Sequence, residues 1–469
     1  MSPRGAALAV TLGAFVATAQ VADDRPLREP EPQALQDDDP LRWRRFVVPV
    51  LEGATLHLAM LAFNNLVTHM AFAQITPKTV QHNLDPRAWT FDVDYYLTNQ
   101  FGHPYQGALH FNAARSSGLS FWWGALYAAL GSLAWELFFE AEPPSMNDQI
   151  TTTIGGSLLG EALHRAAADL RGGDGPGWLR VLGATLLDPM GALNAELVEP
   201  RAVEDITLDP LFVRWQLGAS ASFVLAEAQA EPRDRTPAQV LLAVLLVSGP
   251  PWDARSTYDA PLSYFDLRAD LSFPSKVVGN AFIRGLLVGR RFGADPGPLR
   301  GVWGLFGDYD YAAPAIVRAS AVGLGPGTVF QLELAPRLSL QVGGLFGLSP
   351  FAAAGQLDVS PDLARDYHVG PGLQSMVDLR LVHAQWLQLE LVVRHWLVVG
   401  AYLPPSGFES LLTTALGLNV MVWRGLGVGG EFILSDRRAT FAGALAEHDT
   451  GFAFRLTASL SSAPVFGVR

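Results

Sequence analysis

Apolar and polar positions along the chain follow two different rhythms, and the change from one to the other falls near residue 208. In the second part they alternate. Phe265, Leu267, Ala269, Leu271 and Phe273 interleave with Asp266, Arg268, Asp270 and Ser272; Leu387, Leu389, Leu391 and Val393 interleave with Gln388, Glu390, Val392 and Arg394. A period of two puts each set on its own face of an extended strand. Segments of the same kind recur as FVRWQLGASASFVLA, GNAFIRGLLVGRRF, GVWGLFGDYDY, RLSLQVGGLFGL, LLTTALGLNVMVW and GFAFRLTASL, separated by Gly, Pro, Asp or Arg. Such segments joined by tight turns are the signature of an antiparallel transmembrane β-barrel, here of about twelve strands. A soluble β-sandwich is the competing reading. An export signal without cysteines, and strands this rich in Leu, Phe and Trp, favour the membrane. The terminal APVFGVR departs from the closing aromatic residue expected of many outer-membrane barrels.

The first part has long apolar runs broken by isolated polar residues. Phe46 to Ile75 is long enough to span a bilayer, yet Glu52, His57, Asn64, Asn65 and His69 interrupt it. We expect a helix buried within its own domain, ended by Pro77 and by Asp85-Pro86. Trp89 to Tyr96 (WTFDVDYY) alternates and suits either a short strand or a docking loop. The following NQFGHPYQG forms a turn that presents His103, with a helix from about Ala108 that carries Arg115 near its end and stops at Gly118. Leu119 to Ala141 is the most hydrophobic helix of this half. On it Ser132, Glu136 and Glu140 stand at four-residue spacing and stack on one face. Two carboxylates so placed repel unless a cation or a shared proton lies between them.

Pro143-Pro144 ends that helix, and Ser145 or Asn147 caps the next with Asp148 in its first turn, which accounts for Asp148 without any chemistry. Gly156 and Gly160 form a small-xxx-small pair that lets helices approach closely. Glu161 and His164 have the Glu-x-x-His spacing of di-metal bundles, but those need the unit twice and only one copy is present. We therefore expect no metal site and no cofactor, and read the pair as bonded to each other or to Arg165. The break RGGDGPG and a further helix, Trp178 to Asn194, close this region.

Composition adds location. Charged residues are only 17 % and hydrophobic residues 49 % of the 469, and the net charge of -12 excludes a nucleic-acid binder. Cysteine is absent, which removes disulfides, thiolate metal sites and a cysteine nucleophile. Arg4, the apolar run Gly5 to Val16 and Ala17-Thr18-Ala19 read as a secretory signal peptide over residues 1–19. An acidic, proline-rich linker follows over 20–44. The expected organisation is α+β and multidomain: an N-terminal apolar helical domain over 45–200, then an antiparallel transmembrane β-barrel over 201–469.

Trp89, Asn99 to Gly107 (NQFGHPYQG), Ala114-Arg115-x-x-Gly118, Ser132-x-x-x-Glu136-x-x-x-Glu140, Pro144-Ser145-x-Asn147-Asp148 and Gly155-Gly156-x-x-x-Gly160-Glu161 together resemble a bacterial family, the domain-of-unknown-function family 3943. The likeness covers about residues 85–170. It implies an exported envelope protein of Gram-negative-type bacteria, often with a strand-rich C-terminal part, and it brings no established activity.

Candidate residues therefore rest on physical grounds. His103, Arg115, Glu136 and Glu140 are the first set, expected to meet in one polar cluster; Asn99, Ser132, Asp148, Glu161 and His164 are secondary. Under one reading the protein has a structural or transport-related role in the envelope. The helical domain then plugs the lumen or packs at the periplasmic mouth, and the charges form a buried network. The alternative is a hydrolase or transferase acting on envelope lipid, with His103 as general base, Glu136 or Glu140 as acid/base partner and Arg115 holding a phosphate or carboxylate. A third is a binding module. No G-x-S-x-G, H-E-x-x-H or P-loop is present. The expected partners are outer-membrane lipid and a lipid or other envelope ligand.

Overall fold

The computed structural model describes residues 43–92, 94–172, 177–197, 211–226, 236–273, 276–294, 297–313, 317–356, 367–384, 386–403, 406–442 and 446–462. The expected signal peptide, the linker up to residue 42 and the terminal APVFGVR lie outside them. The chain divides into two compact units, one helical and one a barrel whose continuous part begins at Asp209.

In the helical unit, α1 spans Arg44–Leu66 and α2 Pro77–Asn83. A π-helical turn, Thr98–Gly102, runs into α3, His103–Ser116. Next comes α4, Phe121–Ala134, which continues as a second π-helical turn, Trp135–Phe139. The short α5, Met146–Ile150, leads through a third, Thr151–Gly155, into α6, Gly156–Gly172. The helix expected over Trp178 to Asn194 is two helices, α7 Gly177–Leu187 and α8 Pro189–Leu197. Pro189 cannot donate to a preceding carbonyl, and Asp188 caps the new helix by accepting from Gly191 N at 2.7 Å. Among the described residues of WTFDVDYY there is no strand; one parallel bridge joins Thr90 to Ser145.

The unit buries many polar side chains beside apolar ones such as Phe111 and Trp135, and exposes many large apolar ones. On α1 only Pro49, Glu52, Gly53 and His57 are buried, while Val47, Val50, Leu51, Leu58, Phe63 and Leu66 are exposed. The reading of this helix as buried in its own domain is thus corrected: Glu52 and His57 face inward, while many of its apolar residues face outward. Large apolar residues are exposed on α4 too, where Trp122, Trp123, Leu126 and Leu130 face out while Phe121, Ala128 and Ser132 are buried, and on α7, where Trp178, Val181 and Leu186 are exposed. Glycines make the interior tight. A Cβ at Gly107 of α3 would lie 1.9 Å from Thr152 O, and one at Gly156 of α6 would lie 2.6 Å from Gly107 Cα. The small-xxx-small pair serves the close approach expected of it.

Among the described residues of the second unit, twelve antiparallel strands close into a barrel in sequence order, β1 pairing with β12. They are β1 Leu211–Ala226, β2 Thr236–Ser248, β3 Phe265–Phe273, β4 Lys276–Gly293, β5 Leu299–Ala312, β6 Val317–Ala335, β7 Leu338–Gln356, β8 Tyr367–His383, β9 Leu387–Gly400, β10 Gly407–Trp423, β11 Leu426–Phe441 and β12 Glu447–Ser461. Two-residue connections such as Arg424-Gly425, both at positive φ (34° and 87°), match the right-handed strand twist. Outward positions carry exposed apolar residues, among them Leu217, Trp303, Leu348, Leu418 and Leu456.

Inward positions carry charge. Arg380 of β8 reaches Asp266 of β3 at 3.3 Å, and Arg268 of β3 reaches Asp378 of β8 at 2.6 Å and Glu390 of β9 at 3.0 Å. These strands are not neighbours in the sheet, so the pairs run across the lumen. Arg394 of β9 likewise pairs with Asp310 of β5. At the end where β2 passes to β3, Trp252 of that connection joins Phe212, Leu245, Tyr264, Phe306 and Val329 in one buried apolar cluster. A cavity of about 160 Å³, lined by Arg214, Asn280, Glu390, Arg394 and Arg455 among others, lies within the barrel.

Candidate functional site

The site in the helical unit is assembled by its irregular segments. Thr90 N donates to Pro144 O (2.9 Å) and Met146 N to Thr90 O (2.8 Å), which ties the segment before α3 to the start of α5. Asp92 N then donates to Asn147 Oδ1 at 2.7 Å, bringing Asp92 beside Asp148. The buried Asn83 side chain, at the end of α2, donates to the carbonyls of Glu136, Glu140 and Glu142 at 3.1, 3.0 and 2.9 Å. One carbonyl within the π-helical turn and two just beyond it thereby find a partner. All three π-helical turns adjoin the site: Glu136 lies in one, His103 directly follows another, and Asp148 precedes the third by three residues. Such turns occur frequently at functional sites because they re-aim a side chain without ending the helix.

At the centre, one ligand-type atom each of His103, Glu136 and Asp148 lies within 4.8 Å of the others. His103 Nε2 stands 3.7 Å from Asp148 Oδ2. Asp148 Oδ1 accepts from Asn147 Nδ2 at 2.9 Å, and its own amide donates to Ser145 Oγ at 3.2 Å. Ser145 is therefore the cap, as expected, but the Asp148 carboxylate turns inward rather than toward the helix end. Glu136 Oε2 accepts from Ser145 N at 2.7 Å; its Oε1 has no partner, although the residue is 1 % exposed. Burial, with the neighbouring charges of Asp148 and Glu140, pushes the Glu136 carboxyl well above its ordinary range. Burial and Asp92 do the same to Asp148. Glu140 is driven up to about 8 by burial and then by Asp148, with Trp135 Nε1 donating to its Oε2 at 3.0 Å. Burial lowers the His103 imidazole against the upward pull of Asp92 and Asp94. Burial thus disfavours the charged form of the imidazole and of the carboxyls alike, an arrangement suited to proton transfer or to exchange of protons for a cation.

The structure does not bring the four first candidates together. His103, Glu136 and Glu140 share the site, but Arg115 does not. It sits at the other end of α3, twelve residues and about 18 Å along the axis from His103 at the helical rise of about 1.5 Å per residue. There Arg115 Nε and Nη2 donate to the two Glu161 oxygens at 2.6 and 3.0 Å, and Arg165 Nε donates to Oε1 at 2.8 Å. Burial alone would raise Glu161, but Arg115 and Arg165 outweigh it and hold the carboxyl at about 2. The expected bond of Glu161 to Arg165 is present. His164 instead contacts Asp188 Oδ2 at 2.6 Å. Asn99 is buried in its π-helical turn, where its carbonyl accepts from Thr151 Oγ1 at 3.4 Å, and Ser132 is buried on α4. Ser132 and Glu140 do not continue one regular stripe, because Glu140 leaves the helix in extended conformation.

Sequence reasoning missed Asp92, Asp94, Asn83 and His110. The two aspartates stood in plain view as alternate residues of WTFDVDYY, directly before the His103 turn. His110 lies with its ring 4.6 Å from that of His57, and burial lowers these imidazoles to about 3 and about 4 respectively.

Fold and site define a β-barrel protein of outer-membrane type with a separate helical unit, and that unit holds a buried carboxylate–imidazole centre. Residues 88–190, the segment that contains His103, Glu136, Asp148 and Glu161, match the family described as "Domain of unknown function (DUF3943)", the family its motifs resemble. No curated protein matches the sequence. Among solved structures, the NanC porin aligns at 8 % identity and a TM-score of 0.28, covering 52 % of this chain and 98 % of that one. The outer membrane channel DcaP of Acinetobacter baumannii aligns at 7 % identity and a TM-score of 0.25, covering 54 % and 96 %. The closed topology rests on the strand pairing itself, not on these alignments.

Proposed function

We propose that this protein is exported to the outer membrane of a Gram-negative-type cell, where the barrel is an anchor and the helical unit performs acid–base chemistry on an envelope lipid. The observation that carries the reading is the convergence of His103, Glu136 and Asp148 within 4.8 Å at the joints of three π-helical turns. His103 is the general base. Glu136 or Glu140 is the acid, since a carboxyl that keeps its proton near neutral pH can donate it. The outward tryptophans and leucines of α1, α4 and α7 support a lipid-facing habitat for this unit, because apolar patches of that kind mark membrane or protein contact. An anchoring rather than conducting barrel is supported by the ion pairs that cross its lumen and by the cluster around Trp252. Arg115, Glu161 and Arg165 supply the structural network of the helical unit.

The test is a deletion strain complemented with the wild type, His103→Ala or Glu136→Gln. Folded barrel is verified by heat-modifiable migration, and envelope lipid is profiled by mass spectrometry. The variants are expected to reproduce the lipid profile of the deletion. A wild-type profile from folded His103→Ala protein would overturn the reading.

A further inference from the structure

We infer that His103, Glu136 and Asp148 form a binding site for one divalent transition-metal ion of the Zn²⁺ or Mn²⁺ class. Two donors about 2.1 Å from a common ion stand at most about 4.2 Å apart. The 3.7 Å between His103 Nε2 and Asp148 Oδ2 is already such a spacing, and the 4.8 Å bound on the full set closes with small side-chain shifts. Crowded carboxylates alone would not make a site. The independent observation is Glu136 Oε1, sealed from water in a residue that offers an oxygen within 4.8 Å of the other two, and without a hydrogen-bond partner among the described residues. A buried acceptor left without a partner costs about 1–3 kcal/mol, and more when charged, so its retention calls for an occupant.

The surroundings specify charge. Asp92 acts electrostatically on all three residues, Asp94 on His103 and Asp148, and Glu140 on Glu136, so the ligand that completes the site is a cation. The donor set specifies its kind. One imidazole with carboxylate oxygens and no thiolate suits Zn²⁺ or Mn²⁺, whereas Ca²⁺ and Mg²⁺ take all-oxygen shells. Supporting contacts are built in: Ser145 N fixes the other oxygen of Glu136, and Asn147 Nδ2 fixes the other oxygen of Asp148. Outer contacts of this kind orient metal ligands. Of the three, the His103 side chain is the most exposed, at 13 %. A bound ion would hold His103 and Glu136 as deprotonated ligands rather than as base and acid, would leave proton transfer to Glu140, and would supply Lewis-acid polarisation. The binding claim stands apart from that reading, and only the use made of the ion rests on it.

The experiment uses the full-length protein in detergent micelles, stripped with a chelator and dialysed. Zn²⁺ is titrated by calorimetry and Mn²⁺ by electron paramagnetic resonance. One ion per chain is expected. Glu136→Gln, Asp148→Asn and His103→Gln should each weaken binding by about tenfold or more, and Asp436→Asn on the barrel surface should leave it unchanged. Helical signal at 222 nm and heat-modifiable migration certify folding. Should Glu136→Gln fail to fold, the partly exposed His103→Gln carries the test. Wild-type protein that binds neither ion, binds only Ca²⁺ or Mg²⁺, or loses nothing in the folded variants overturns the inference. Ion binding with an unchanged lipid profile in the His103→Ala strain leaves the metal site standing and removes the lipid function. A lipid defect in that strain with no bound ion does the reverse.

Discussion

Glu161 offers the sharpest test of how the helical unit is held together. Replacing it with Gln keeps the shape and removes one charge. Arg115 and Arg165, with side chains only 15 % and 7 % exposed, then face a neutral amide across 2.6 to 3.0 Å. Removing one partner of a buried ion pair costs about 3–5 kcal/mol, because the remaining charge stays buried without compensation. A second route gives a similar size. The carboxyl lies at about 2 instead of its usual 4.5, and at about 1.4 kcal/mol per unit that difference is worth roughly 3 kcal/mol. For a unit of this size about 3 kcal/mol lowers the melting temperature by about 6–12 °C. The pH dependence follows from the direction of the shift. A carboxyl depressed in the folded state stabilises fully above its unfolded pKa of about 4.5 and loses that contribution as pH falls toward 2. The gap between wild type and Glu161→Gln should therefore be widest at neutral pH and close between pH 4.5 and 2. Melting is followed at 222 nm on the full-length protein in micelles, with heat-modifiable migration confirming that the barrel is untouched. Variant and wild type melting within 1 °C at pH 7, or a gap independent of pH, would refute the assignment.

Two further outcomes are expected. Gly156→Leu should abolish the native helical signal at 37 °C while the barrel still folds, since even its Cβ would lie 2.6 Å from the α3 backbone at Gly107; a native-like melt would show that this crossing is not close. In planar bilayers the wild-type protein should show no steady porin-sized conductance, because ion pairs join β3 to β8 and β9 across the lumen; a stable large open state would refute a closed barrel.

The Arg115 assignment shows where residue spacing falls short. Its charge within an apolar segment marked it as a buried, paired residue, which it is. Its partner was misassigned because the helix was expected to begin at Ala108, whereas α3 begins at His103 itself. Once both residues belong to one helix, its rise keeps them about 18 Å apart, and no side-chain reach brings them to one site. The Glu136–Glu140 stripe fails for a related reason: it assumes 3.6 residues per turn through a segment that adopts a wider π-helical turn.

By itself the sequence determined what depends on local periodicity and sterics. Alternation of apolar and polar residues sets which strand face points out of the barrel and which into the lumen, so barrel and strand number followed from it. The glycine pair at 156 and 160 likewise predicted a close helix crossing. The tertiary structure decided what depends on which surfaces meet. Hydropathy reports how apolar α1 is, but not that its apolar residues point outward and Glu52 and His57 inward. Nor does it place Asp92 next to Asp148, 56 positions away, since that neighbourhood exists only through the Thr90–Ser145 bridge and the Asn147 amide. The site is a product of loop docking and helix irregularity, for which linear spacing carries no code.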